Sequence, residues 1–152
     1  NYPVVVDIKK HVYGKNKGNM EDKTRVGSVY YNRGVVHGII TVEAIRKAQE
    51  KYGKGKALTG EQMRWGFENL NLDDARLKAL GATGFMPPLK ITCADHEGPG
   101  KVKFQQWDGS QWKVITDWVE SDRPLVRGMI EESAAAYAKE KGIKPRDCSK
   151  ES

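Results

Sequence analysis

One stretch constrains this chain more than any other. From residue 28 to about residue 52 there is no proline, and apolar side chains fall at Val29, Val35, Val36, Ile39, Ile40, Val42, Ile45 and Ala48. Spacings of three and four residues make this a helix. The apolar positions cover more than one narrow stripe, so the middle of the helix is expected to be buried on most sides. Arg46, Lys47 and Lys51 suit the negative end of a helix dipole, and Gly53 can supply the stop.

The remaining pattern is read around that helix. Pro3 suits a first helical turn, which opens a short amphipathic helix over 4–13. Residues 14–27 are polar, basic and contain glycine, as a loop does. Thr59-Gly60-Glu61-Gln62 is a capping box that opens a helix carrying Met63, Trp65, Phe67 and Leu70. Asn71 or Asp73 caps a short helix over 74–80, closed by Gly81. Gly84-Phe85-Met86-Pro87-Pro88 must be irregular. Residues 89–118 form the β part, with a strand over 89–93 and a hairpin from 101–106 and 110–116. A three-residue loop, Trp107-Asp108-Gly109, would pair Phe104 with Trp112 and Val102 with Val114. That register gathers the apolar residues on one face and is preferred to a two-residue Asp108-Gly109 loop. A last helix starts near Ser121 or Asp122, carries the stripe Leu125, Met129, Ile130, Ser133, Tyr137, and ends by Gly142 and Pro145.

The 152 residues fit one domain. Apolar runs such as 4–6 and 39–40 fall far short of the roughly 20 residues a helical membrane span requires. Four Trp, six Tyr and three Phe are not the composition of a disordered chain. The chain starts Asn1-Tyr2-Pro3 without a basic and apolar leader, so a signal peptide is not in this chain. Of the formal charge of +6, residues 1–60 hold 12 Lys+Arg against 5 Asp+Glu. This excess raises nucleic-acid binding as an alternative. The lysines are scattered over loops and helix ends, and no aromatic is interleaved among them in the way a stacking platform requires, so a solvated surface is the better reading and no nucleic-acid partner is expected.

Chemical motifs are sparse. Cys93-Ala94-Asp95-His96-Glu97 offers four metal-ligand types but no second Cys/His pair, so no metal is expected. His11 and His37 lie on helical stretches. No nucleophile elbow, P-loop or dinucleotide fingerprint occurs, and Asp73-Asp74 and Glu131-Glu132 are adjacent pairs that diverge on a helix. The chain is not expected to be an enzyme or to carry a cofactor. Cys93 and Cys148 are either two free buried thiols or one disulfide, the latter favoured by export. The most informative cluster is Tyr30-Tyr31-Asn32-Arg33-Gly34 at the start of the long helix. It is either a plain helix start or a site for a small carboxylate, with Arg33 or backbone N–H groups on the carboxylate and a Tyr ring beside its apolar part.

Several segments in order carry a resemblance: Val26-Gly27-Ser28-Val29-Tyr30-Tyr31-Asn32-Arg33-Gly34, Val42-Glu43-Ala44-Ile45-Arg46, Leu58-Thr59-Gly60-Glu61-Gln62, Leu70-Asn71-Leu72, Thr92-Cys93-Ala94-Asp95-His96-Glu97-Gly98, and Gln105-Gln106-Trp107-Asp108-Gly109. From about residue 3 to 148 the chain resembles the C-terminal part of substrate-binding proteins of branched-chain amino acid ABC transporters. The resemblance implies an α/β, Rossmann-like fold of the type I periplasmic-binding-protein class, seen as a helix-rich fragment with a β-hairpin. Residues 1–152 would be a single segment, the C-terminal part of a two-lobed protein whose first-lobe region is absent. It implies a non-enzymatic, periplasmic solute-binding component that takes an amino acid or aromatic carboxylate and delivers it to a membrane permease as its partner. Tyr31 and Asn32, and Arg33 beside them, would touch that ligand. Export would pair Cys93 with Cys148. A fragment lacking its partner lobe would associate with itself. An extracytoplasmic ligand sensor of the same fold is a further alternative.

Overall fold

A computed structural model of the chain describes residues 2–150. It divides into two compact units, Asn1–His96 and Glu97–Ser152.

In the first unit, α1 (Pro3–His11) places its proline in the first turn, where the missing N–H has no helical partner to lose. The Val4 amide donates to the Gly81 carbonyl at 3.0 Å, and Tyr2 meets Phe85 edge-on at 5.1 Å. The long helix α2 runs from Val29 to Tyr52. Expected to be buried on most sides, it buries only Glu43, Ala44 and Ala48, while Val29 and Val42 are exposed. The apolar positions are inward on one side only, with Val36, Ile39 and Ile40 packed against the core.

The capping box at Thr59 forms as the sequence requires. Gln62 N donates to Thr59 Oγ1 at 3.3 Å, and Thr59 N donates to Gln62 Oε1 at 2.9 Å, opening α3 (Gly60–Glu68). Gly66 of α3 is buried against α2, and a side chain there would collide with the Ala44 carbonyl. Trp65 stands edge-on to Tyr52 at 5.7 Å beside that contact. Asp73 caps α4 (Asp74–Ala79) by accepting from Arg76 N at 2.7 Å. The core of the unit is Leu70, Leu72, Leu77, Ala82, Met86 and Leu89. Leu72 lies on β1 (Asn71–Leu72), opposite Leu89 of β2 (Leu89–Lys90). The expected strand over 89–93 is thus two residues long, and Asn71, one of the two expected caps of α4, lies in its partner strand, leaving the cap to Asp73.

The second unit holds β3 (Lys101–Val102), β4 (Gln105–Trp107), β5 (Trp112–Val114), β6 (Val119–Glu120) and α5 (Arg123–Lys141). β3 pairs with β6, and β4 pairs with β5, each antiparallel. The preferred hairpin register is corrected. Trp107 faces Trp112 with rings 5.7 Å apart, Gln105 faces Val114, and Ile115 N donates to the Phe104 carbonyl. The turn is set by Asp108, whose Oδ1 accepts from Ser110 N, Ser110 Oγ and Gln111 N, each at 2.9 Å. That side chain satisfies the donors of a longer loop, which shifts the register by moving Trp107 into the strand. Asp122 caps α5 by accepting from Leu125 N, and Gly142 ends it in the left-handed region.

The expected Rossmann-like, type I periplasmic-binding-protein fold is therefore not what the described residues form. Their named strands are two or three residues long, in three two-stranded antiparallel pairs. A Rossmann-like sheet needs longer parallel strands covered by helices on both faces.

Candidate functional site

The start of α2 is tied to the loop before it. Gly27, at φ +94°, presents its carbonyl to Asn32 Nδ2 at 3.0 Å. Asn32 Oδ1 is buried and has no hydrogen-bond partner among the described residues, an arrangement that costs about 1–3 kcal/mol. Ser28, the N-cap, makes no side-chain hydrogen bond to the helix. Tyr31 is half-buried against Tyr13, with ring centroids 6.3 Å apart. Burial and a hydrogen bond to the Tyr13 hydroxyl push the Tyr31 phenol up to about 12. Tyr13 fits because Gly18 has no side chain: a Cβ there would lie 2.3 Å from its ring. Arg33 is exposed and makes no ion pair among the described residues. The three expected ligand residues are therefore split, with Tyr31 and Asn32 part-buried and Arg33 in solvent.

A more strongly built polar site lies elsewhere on α2. Glu43 is 8% exposed. Its two carboxylate oxygens accept from Arg76 Nε and Arg76 Nη2, both at 2.7 Å, and Oε1 also lies 3.4 Å from Arg46 Nη1. The Asp73 cap fixes the first turn of α4 and so aims Arg76 at this carboxylate. The fork-on-carboxylate geometry holds Glu43 below the usual carboxylate range, with burial opposing it, and raises Arg76. Around the pair is a cleft of about 360 Å³ that includes Arg46, Lys47, Glu50 and Asn69. With both oxygens engaged, Glu43 serves as a fixed counter-charge and not as a proton acceptor. Sequence reading missed this pair, although a signal was present. Glu43 follows Val36 by seven and Ile39 by four, so it shares their inward face and must find a partner.

An apolar groove of about 480 Å³ is lined by Met63, Phe67 and Ile91, with Glu68 and His96 beside them. His96 Nε2 lies 3.2 Å from Glu68 Oε1, and Glu68 is buried. This uses one member of the Cys93–Glu97 run. Thr92 and Asp95 close on one another, with Asp95 N donating to Thr92 Oγ1 at 3.1 Å. Glu97 pairs with Arg127 at 2.5 Å. Among the described residues no group of three or more His, Cys, Asp or Glu could hold a metal ion. His11 and His37 are exposed. Neither Cys93 nor Cys148 is a free thiol.

No protein-family model matches the chain, and no curated protein sequence matches it. A crystal structure from the Pseudomonas fluorescens group, described as an ABC transporter permease, is similar at 48% identity with a TM-score of 0.92. The match covers 97% of this chain and 35% of that chain, so these 152 residues span about a third of its length. The ABC-transporter context is thereby supported, and the match is to a transport protein, in agreement with the expectation of a non-enzyme. The reading as a substrate-binding protein is overturned, since the similar protein is described as the permease and not as the solute-binding partner of one. The expected periplasmic location is overturned with it, because it rested on the solute-binding reading and the similar protein is described as a permease. No helix among the described residues is long and apolar enough to cross a membrane.

Proposed function

We propose that this chain works as a portion of a permease-type component of an ABC transporter, contributing contacts between polypeptides. The observation that carries this reading is the 48% identity and 0.92 TM-score, over nearly the whole chain, to a protein described as an ABC transporter permease. The fixed Glu43–Arg76 pair fits a structural role in such a component, since it locks α4 to α2 and keeps both Glu43 oxygens engaged. Deleting the coding segment for these residues from the source cells tests the proposal. Loss of ATP-dependent uptake of at least one solute in a labelled panel is expected, and an unchanged panel would sink it.

Two finer points belong to the same proposal. Tyr31, Asn32 and Arg33 are where an amino acid or aromatic carboxylate solute would touch this chain. The unpartnered Asn32 Oδ1 and the exposed Arg33 guanidinium support that role. An Asn32→Leu variant in the intact transporter should weaken uptake of that solute, and unchanged uptake would reject the assignment. Cys93 and Cys148 pair with one another, a reading supported by neither being a free thiol.

A further inference from the structure

The second unit carries a helix that is finished on one face and bare on another. On α5, Arg127 bridges Glu131 at 2.7 Å and Glu97 at 2.5 Å, so one side is laced with ion pairs. Leu125, Val126, Met129, Ile130 and Tyr137 recur at spacings of one, three, four and seven residues and form a single stripe on another side. No residue of α5 is buried. Leu125 is 61% exposed, Met129 63% and Tyr137 57%. A stripe of that pattern is what a helix presents to a neighbour, and contiguous apolar surface of this kind marks an interaction site. The solved chain that contains this fold is longer by about two thirds of its own length, and that polypeptide has no counterpart in these 152 residues.

We propose that the apolar stripe of α5 is a docking surface for polypeptide equivalent to that unmatched two thirds. This rests on the reading of the chain as a portion of a larger transport component. The identity to the longer protein runs over 97% of this chain, α5 included, and the length of the longer chain supplies the occupant. The partner must offer an apolar groove or helix face about 20 Å long, the length of helix from Leu125 to Tyr137. Charged residues beside that groove would meet the ion-paired flank of α5 at its rim.

Co-expression of the tagged 152-residue chain with the unmatched stretch of the solved Pseudomonas fluorescens group protein tests this. After affinity capture, oxidative labelling of Met129 is compared with that of the chain alone. The expected result is capture of the stretch, at least a fivefold fall in Met129 labelling, and loss of capture in Met129→Glu but not in Lys54→Glu, a charge reversal at an exposed position outside α5. Four results would overturn the proposal: no capture, capture indifferent to Met129→Glu, Met129 already protected in a dimer of the chain alone, or Met129 protected only by lipid vesicles. Capture without any effect of the chain on uptake would leave the docking surface standing and remove the transporter reading.

Discussion

Replacing Gly66 by alanine should open the contact between α2 and α3. A Cβ at this position would lie 2.3 Å from the Ala44 carbonyl oxygen, 3.2 Å from its carbon and 3.0 Å from Ala48 Cβ. The first of these is short of ordinary contact by about 1 Å. The obstructing atoms belong to the main chain and a methyl group of a helix, so no rotamer change relieves them. Overpacking of this kind costs about 1–3 kcal/mol, here near the upper end. Alanine returns about 1 kcal/mol through its higher helix propensity. The net loss is about 2 kcal/mol, a shift of roughly thirtyfold in the folded-to-unfolded ratio. Gly34 and Gly38 on α2 are the controls, because a Cβ at either meets nothing within 4 Å. Those two substitutions should stabilise by about 0.5–1 kcal/mol. Urea unfolding followed by circular dichroism reads all three. A Gly66→Ala variant as stable as Gly38→Ala would refute the packing argument.

The Glu43–Arg76 pair sets a second expectation. Arg76→Leu should destabilise by about 2–3 kcal/mol, less than a fully buried pair because Arg76 is partly exposed, and adding Glu43→Gln should recover part of the loss in a double-mutant cycle. The folded-state pKa of Glu43 is depressed, so its contribution is complete above the ordinary value of 4.5 and lost as pH falls through the lower folded value. Urea midpoints taken on the acid side should therefore fall less steeply with pH in Arg76→Leu than in the wild type. Tyr31 behaves oppositely: its raised pKa gives stability that is complete below pH 10.0 and lost as pH rises through about 12. A spectrophotometric titration should show one tyrosine ionising near 12, moving down in Tyr13→Phe, and no such late component would contradict the geometry. Mass spectrometry after alkylation without reduction should find Cys93 and Cys148 in one linked peptide pair. Two alkylated cysteines would reject the pairing.

Local signals in the sequence translated directly into structure where a single side chain decides the outcome. The Thr59–Gln62 box, the Asp73 and Asp122 caps, Pro3 in the first turn and Gly142 at the end of α5 each act within four residues of themselves. The strands were less legible because they are two or three residues long and depend on tertiary pairing, as Leu72 with Leu89 and Val102 with Val119 illustrate. The hairpin register turned on the Asp108 side chain, whose three accepted hydrogen bonds outweigh the apolar gathering used to choose between loops. On α2 the apolar residues were counted as a ring around the helix, while the inward charge of Glu43 passed unnoticed among them. The ordered motifs pointed to an ABC-transporter context, which the description of the similar protein supports, and to a solute-binding component, which that description does not. Tyr31 packs against Tyr13 and Asn32 bonds the Gly27 carbonyl, both part-buried, whereas Arg33, one position on, turns to solvent as a helix of 3.6 residues per turn dictates.

The claim that this chain belongs to a transport component is tested most directly by its company in the cell. The tagged chain would be cross-linked in the membranes of its source cells, extracted and purified. The account predicts that an ATP-hydrolysing subunit co-purifies, with vanadate-sensitive ATPase activity in the eluate. Recovery of the chain with no ATP-hydrolysing subunit would contradict it.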